Sequence, residues 1–501
     1  MRTLAILALM LLTTISPSSA QPRAADAKTI ARLVDSLASS AMADRLAPGL
    51  GVAVTMDGKI IYSKTFGMAD ATAGIPADDR TLWYLASTTK SFTGFGVSLL
   101  ADRGVLKLDS PITSLLPGIA WNPEVKADSL TLAHFLSHTH RLNDQAVSVA
   151  AMTGWTPNDR WSSMLSLAGR QQSTDLVYTN TGYYVAGMVI DRLRPEGWGT
   201  FLEKNVFLPA GMRDTYNRIS TVDPKRIAKP HNIDATGRYY SEPLTKSDRT
   251  MHSAGGHLST LRDLARWTIV QMDSGRIDGK QVFPASAVAL SHRLIAKQTR
   301  DQAKRFAWFD REGWGAGWDI GTYHGERMVS RFGTFASTRS HLSFLPNRRI
   351  GVVVMSAAGS TITDIIAAFV YDLEAGRDYA RDSADLRMKR LKHDFAGAPA
   401  SRVRNDSVRA ARQAVPLRHP IASFAGTYEA PNYGRIVIAE RGGKLEFKWG
   451  DIFGPMEIFD ATKDQMRFEI AGSGQVMTFT FPETGPATEV AVAGLKFARV
   501  P

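Results

Sequence analysis

Leu85-Ala86-Ser87-Thr88-Thr89-Lys90-Ser91-Phe92 is the stretch on which the reading of this chain turns. A helix that begins near Ser87 carries Lys90 one turn further along the same face. The Ser87 hydroxyl then lies at the positive end of the helix dipole. A desolvated lysine beside it can shed its proton and act as a base, which turns a weak alcohol into a nucleophile. Ser-x-x-Lys also arises by chance about once or twice in a chain of this length. On its own it fits a helix N-cap followed by a solvated lysine equally well.

Two later segments offer complementary groups. Tyr178-Thr179-Asn180 sets a phenol and an amide two residues apart, so that in an extended loop both point the same way. The phenol can pass a proton to a leaving group, and the amide can hold a substrate carbonyl. A buried tyrosine beside a turn asparagine is the plainer reading, since Thr181-Gly182-Tyr183 begins a helix. Arg331-Phe332-Gly333-Thr334 lies on an expected strand. The N–H groups of Thr334 and Ser87 can together hold an oxyanion, and Arg331 can draw in a substrate carboxylate. Ordinary strand residues explain that segment as well.

Outward from these segments, the chain alternates in character. Ala25 to Met42 has helical spacing, with Ile30, Leu33, Val34 and Leu37 on one side. Leu50 to Met56 and Lys59 to Phe66 are extended runs around Asp57-Gly58, a strong hairpin signal. Helices are expected at Ser91 to Arg103, Ser162 to Ala168, Thr181 to Leu193 and Thr260 to Met272. Strands return at Glu326 to Phe332, Thr338 to Leu345 and Ile350 to Ser356, and Thr361 to Leu373 closes with a helix. A sheet assembled from both ends of this region, with a helical insertion between, follows from that order. Four short alternating strands, Ile436 to Ile438, Leu445 to Trp449, Gln465 to Ile470 and Val476 to Phe481, form a small antiparallel unit at the end.

In order and spacing the three chemical segments resemble those of the penicilloyl serine hydrolase superfamily. Within it they are most similar to the branch of class C β-lactamases, D-aminopeptidases and EstB-type esterases. Further segments carry the resemblance over residues 25 to 375. They are Gly104-Val-Leu-Lys-Leu-Asp109 before Pro111, the run Thr131-Leu-Ala-His-Phe-Leu-Ser-His-Thr139, and Phe207-Leu-Pro209-Ala-Gly-Met212. Ala254-Gly-Gly-His-Leu-Ser-Thr260 and Phe344-Leu-Pro346 before Ile350-Gly-Val-Val-Val354 complete the set. The resemblance implies an α/β fold: a mixed, mainly antiparallel sheet flanked by helices, with a helical subdomain. It also implies Ser87 as nucleophile, Lys90 as base, Tyr178 as proton shuttle and Asn180 as the second motif's amide, with no metal or organic cofactor. The last segment, from Phe424-Ala-Gly-Thr-Tyr428 onward, resembles the lipocalin-like domain appended to such hydrolases.

Two departures from the family pattern stand out. The third motif, His-x-Gly or Lys-Thr-Gly in the family, is Arg331-Phe332-Gly333 here, with Ser337 where a glycine is usual. His140-Arg141 stands where the family has Ser-Gly. Arginine keeps the positive charge but does not exchange protons near neutral pH. These changes weigh against a true β-lactamase and keep open a non-catalytic binder with the same fold.

Four regions follow. Residues 1–20 read as a signal peptide: Arg2, an apolar run from Leu4 to Leu12, and Ser18-Ser19-Ala20 before the expected cleavage. Export to the periplasm or the medium is the expectation. Residues 21–381 form the hydrolase domain, 382–420 a basic helix tail and linker, and 421–501 the β domain. The chain has no cysteine, which excludes disulfides and thiolate chemistry. Its net charge of +12 reads as a solvated basic face, since no nucleic-acid motif accompanies it. His134 and His138 are four apart, as in a helical zinc pair, but no glutamate follows His134, so no metal is expected. Partners are then a small-molecule or peptide substrate, without nucleic acid and without a later transmembrane segment.

Overall fold

The computed structural model describes residues 24–154, 164–166, 168–171, 176–303, 309–431, 433–470 and 473–501. The expected leader lies outside these residues, as do residues 162, 163 and 167 of the helix expected over 162–168; residues 164–166 are helical. Helix α1 (Ala27–Ala43) starts where the Asp26 carboxylate accepts the Thr29 N–H at 2.7 Å. It buries Ile30, Val34, Leu37, Ala38 and Ala41 on one stripe. Strands β1 (Gly49–Met56) and β2 (Lys59–Asp70) turn on Asp57 and Gly58, with φ of 49° and 75°. Left-handed backbone at both positions is what a two-residue primed hairpin turn requires.

β1 is buried along almost its whole length because it lies inside the sheet. It pairs with β2 on one side and with Ile350–Ser356 on the other, Val52 opposite Val354. The nine-stranded sheet runs Ala296–Lys297, Asp310–Trp314, Asp319–Tyr323, Glu326–Phe335, Thr338–Leu345, Ile350–Ser356, β1, β2 and Ile75–Pro76. Its pairings are antiparallel. On one face α1 and the helices Ile362–Glu374 and Ala380–Ala396 share an apolar cluster with the sheet. Helix Leu261–Met272, capped by Thr260, packs on the other face and joins the sheet to the helical region.

The basic stretch after residue 380 is helical: Ala380–Ala396, then Ala398–Gln413. The second helix lies against the terminal β unit, where Arg409 Nε donates to Glu457 at 2.8 Å and Gln413 to the Ile458 carbonyl at 3.0 Å. That unit is a closed barrel of eight strands paired in sequence order, from Gly426–Ala430 to Leu495–Val500, with Thr427 opposite Val500. Alternate residues such as Leu445, Phe447 and Trp449 point inward and pack together with Phe468 and Phe497. Among the described residues no helix is long and apolar enough to cross a membrane.

One barrel turn grips the larger domain. The Asp451 N–H donates to the Thr153 carbonyl at 2.5 Å, and its carboxylate accepts from Ser247 Oγ and the Arg249 guanidinium. Asp451→Ala removes the acceptor for both, which costs about 1–2 kcal/mol given the exposed arginine. A lowered thermal unfolding midpoint is expected; an unchanged midpoint places the domain clamp elsewhere.

Candidate active site

Ser87 is presented on a tight turn. Ala86 before it has φ of 46°, a left-handed conformation unusual for a residue with a side chain, and such strain is stored where the surroundings fix it. Ser340 Oγ and Thr88 N–H both donate to the Leu85 carbonyl, at 3.0 and 3.1 Å. Helix α2 (Thr89–Asp102) follows directly, buried from Thr89 to Leu100.

Lys90 is fully buried. Its ammonium donates to Asn180 Oδ1 and the Ala254 carbonyl at 2.7 Å each, and to Ser87 Oγ at 3.1 Å. Asn180 Oδ1 and the carbonyl accept only, whereas a hydroxyl can also donate. When Lys90 loses a proton, two N–H groups stay with the two carbonyl oxygens and the lone pair faces Ser87. Burial, with Arg331 adding repulsion, brings Lys90 down to about 8.

The Tyr178 hydroxyl lies 2.6 Å from Ser87 Oγ. Arg331 Nη2 donates to the phenol oxygen at 2.8 Å. A guanidinium only donates, so the phenol proton is turned toward Ser87. With Lys90 neutral, the four groups form one directed chain, from Arg331 to Tyr178 to Ser87 to Lys90. Burial would raise the phenol pKa, but the charges of Lys90 and Arg331 outweigh it and hold it below its ordinary value. The ring itself is 42% exposed and opens on a cleft of about 900 Å³. Ser87, Trp314, Arg331, Phe332 and Thr334 line that cleft with it.

Of the seven residues proposed from sequence, Ser87, Tyr178, Arg331 and Thr334 line this cleft and Lys90, Asn180 and Gly333 sit against them, though not all with the expected contacts. Arg331 was expected to attract a substrate carboxylate. Its side chain is only 3% exposed and is engaged within the protein: Nε donates to the Ser87 carbonyl at 2.9 Å, Nη1 to Asp319 at 3.2 Å. Its place is behind the phenol rather than at the cleft mouth. Gly333 sits where the strand Glu326–Phe335 crosses the Ser87 turn. A Cβ there would run into Leu85 O and Ser340 Oγ and lie 3.0 Å from Ser87 N. Thr334, next along, is exposed to the cleft.

His140 does not enter this cleft. It is buried, its Nδ1 accepts the Leu142 N–H at 3.0 Å, and its Nε2 meets Thr179 Oγ1 at 2.9 Å. It stacks on Phe135 and is kept neutral by burial, with a pKa of about 3. Its role is to hold the Tyr178-Thr179-Asn180 loop. His134 caps the helix Leu132–Leu136 with Thr131, and His138 Nδ1 accepts the Thr179 N–H at 3.3 Å.

Two carboxylates had no signal in the sequence. Asp144 Oδ1 accepts from the N–H groups of Asn180 and Thr181, at 3.1 and 2.9 Å, and from Thr181 Oγ1 at 2.6 Å. It caps the helix Thr181–Leu193 from 36 residues upstream, beyond any local capping pattern. Asp319 is buried between two arginines, accepting from Arg331 at 3.2 Å and Arg311 at 2.5 Å.

Removing either constraint has a defined cost. Asp319→Asn removes the carboxylate that two largely buried guanidinium groups share, for a loss of about 3–5 kcal/mol. Gly333→Ala pushes the strand off the Ser87 turn. Both variants are expected to show depressed unfolding midpoints and to lose labelling at Ser87; wild-type behaviour of either contradicts the geometry.

Comparison with known proteins places the fold. A family model described as Beta-lactamase matches residues 34–377. Penicillin-binding protein 4 of Amycolatopsis lactamdurans is 25% identical over 390 residues, spanning 76% of this chain and 93% of that protein. The octameric penicillin-binding protein homologue from Pyrococcus abyssi superposes with a TM-score of 0.59 at 18% identity, covering 93% of this chain and 98% of that one. D-amino acid amidase from Ochrobactrum anthropi SV3, complexed with D-phenylalanine, superposes with a TM-score of 0.56 at 20% identity, covering 71% and 99%. The matched span contains Ser87, Lys90, Tyr178, Asn180, Arg331, Gly333 and Thr334, and the chain belongs to the β-lactamase family.

Proposed function

We propose that this β-lactamase-related serine hydrolase works through an acyl-enzyme on esters or D-amino-acid peptides, with β-lactams as a further substrate class. The observation that carries the reading is a serine oxygen flanked at 3.1 Å by a buried amine and at 2.6 Å by a phenol, at the wall of an open cleft. The amidase and penicillin-binding relatives support the substrate classes. The apolar leader supports export to the periplasm or the medium.

The steps follow from the hydrogen-bond directions. Neutral Lys90 takes the Ser87 proton as Oγ attacks the substrate carbonyl carbon. The resulting oxyanion is held by the N–H groups of Ser87 and Thr334. The C–X bond breaks as Tyr178 gives its proton to the leaving heteroatom, and the phenolate, stabilised by Arg331, recovers a proton from Lys90. Water then attacks the acyl-serine as the Lys90–Tyr178 pair takes its proton; the C–Oγ bond breaks, the pair returns that proton to Ser87 Oγ, and the carboxylic acid is released. Arg331 cannot carry a proton in this scheme. It fixes the phenol's orientation and stabilises its charge.

An alkyl fluorophosphonate is expected to add one phosphonyl group per chain by intact mass, with no adduct in Ser87→Ala. Lys90→Met slows adduct formation by about 10²–10⁴-fold, the worth of a positioned base. No adduct on the wild-type protein, together with no ester turnover, assigns it a binding role instead.

A further inference from the structure

The strand Glu326–Phe335 orders the cleft along a line. Arg331, Gly333 and Phe335 point to one face, two residues apart. Arg331 meets the Tyr178 hydroxyl, and Gly333 lies against the Ser87 turn. Phe335 is the next station, and it meets Tyr84 edge-on at 5.1 Å. In the proposed reaction Tyr178 protonates the leaving group, so the leaving group lies toward Arg331. The acyl portion then runs the other way, toward Phe335.

A lysine stands beside Phe335, just beyond the residues that line the cleft. Lys246 Nζ lies 4.0 Å from the centroid of the Phe335 ring and 5.5 Å from that of Tyr84. The two rings belong to a small apolar cluster with Ala86, Leu244, Met251 and Leu258. Burial lowers the ammonium to about 7, with no carboxylate opposing that effect. Among the described residues no acidic side chain forms an ion pair with it. The titratable neighbour on this side is His252, whose pKa is also depressed, and which shares a hydrogen bond of 3.1 Å with the Tyr184 hydroxyl. Ring faces attract a cation but do not replace the carboxylate that a desolvated ammonium ordinarily finds. The loop that carries Lys246 is held in place by the barrel, since Ser247 and Arg249 both donate to Asp451.

We propose that Lys246 binds a carboxylate on the acyl portion of the substrate, making this a hydrolase selective for anionic acyl groups. The inference rests on the acyl-enzyme reading above and adds the substrate's charge and its direction in the cleft. Arg331, already engaged behind the phenol, leaves the anion-binding role to Lys246.

The test compares the mono-p-nitrophenyl ester of glutaric acid with p-nitrophenyl valerate, close in length and differing by the terminal carboxylate. The wild-type protein is expected to favour the glutarate ester in kcat/KM by about tenfold or more, the size of one charge-assisted contact. Lys246→Met lowers that ratio by about the same factor, and Lys246→Arg retains the preference. Equal kcat/KM for the two esters in the wild-type protein overturns the proposal, as does an unchanged ratio in Lys246→Met. The wild-type ratio decides by itself if Lys246→Met does not fold. Ser87-dependent hydrolysis without preference removes the anion subsite alone. Hydrolysis of neither ester, with no adduct at Ser87, removes the acyl-enzyme reading and the subsite with it.

Discussion

Lys90 carries its amine into a place that water does not reach, and the rest of the site is arranged around that fact. A buried ammonium is costly unless each proton has an acceptor. Here the acceptors are Ser87 Oγ, Asn180 Oδ1 and the Ala254 carbonyl. They come from three separate parts of the chain, so the amine can be satisfied only when the Ser87 turn, the start of the helix Thr181–Leu193 and the turn at Ala254 are assembled. Deprotonation removes the desolvation cost while keeping the two shorter bonds, which is why the proton leaves easily and why the lone pair then faces the serine. Asp144 serves the same arrangement at a distance, since it caps the helix that begins beside Asn180.

The Arg331 substitution is intelligible on the same terms. A histidine or lysine at this position can exchange a proton with the phenol. Arginine cannot, but it delivers a permanent donor at 2.8 Å and a charge that favours the phenolate. The burial of that charge is offset by Asp319, which in turn holds Arg311. Phe332, on the opposite face of the strand, packs against Phe309 and His341. Phe332 thus has its own aromatic partners while also lining the cleft.

What was legible in the sequence was local. The Asp57-Gly58 hairpin, the helix Thr181–Leu193 and the strands Thr338–Leu345 and Ile350–Ser356 each announce themselves through neighbouring residues. Ser87, Lys90, Tyr178 and Asn180 could be named because short motifs carry them. The strands Asp310–Trp314 and Asp319–Tyr323 were hidden by the glycine-rich link between them, which masks any alternation. Asp144 and Asp319 act on partners far along the chain or held by burial, and no spacing rule reaches them. Half of the barrel strands were also missed, because short strands with polar outer faces differ little from loops until their pairing is known.

The account stands on the state of one amine. Its most direct measurement is a carbon-13 titration of the lysine Cε signals, with the Lys90 resonance identified by its loss in Lys90→Met. A titration of Lys90 near pH 8 is the predicted result. A Lys90 signal that titrates at about 10.4, as a solvated lysine does, contradicts it.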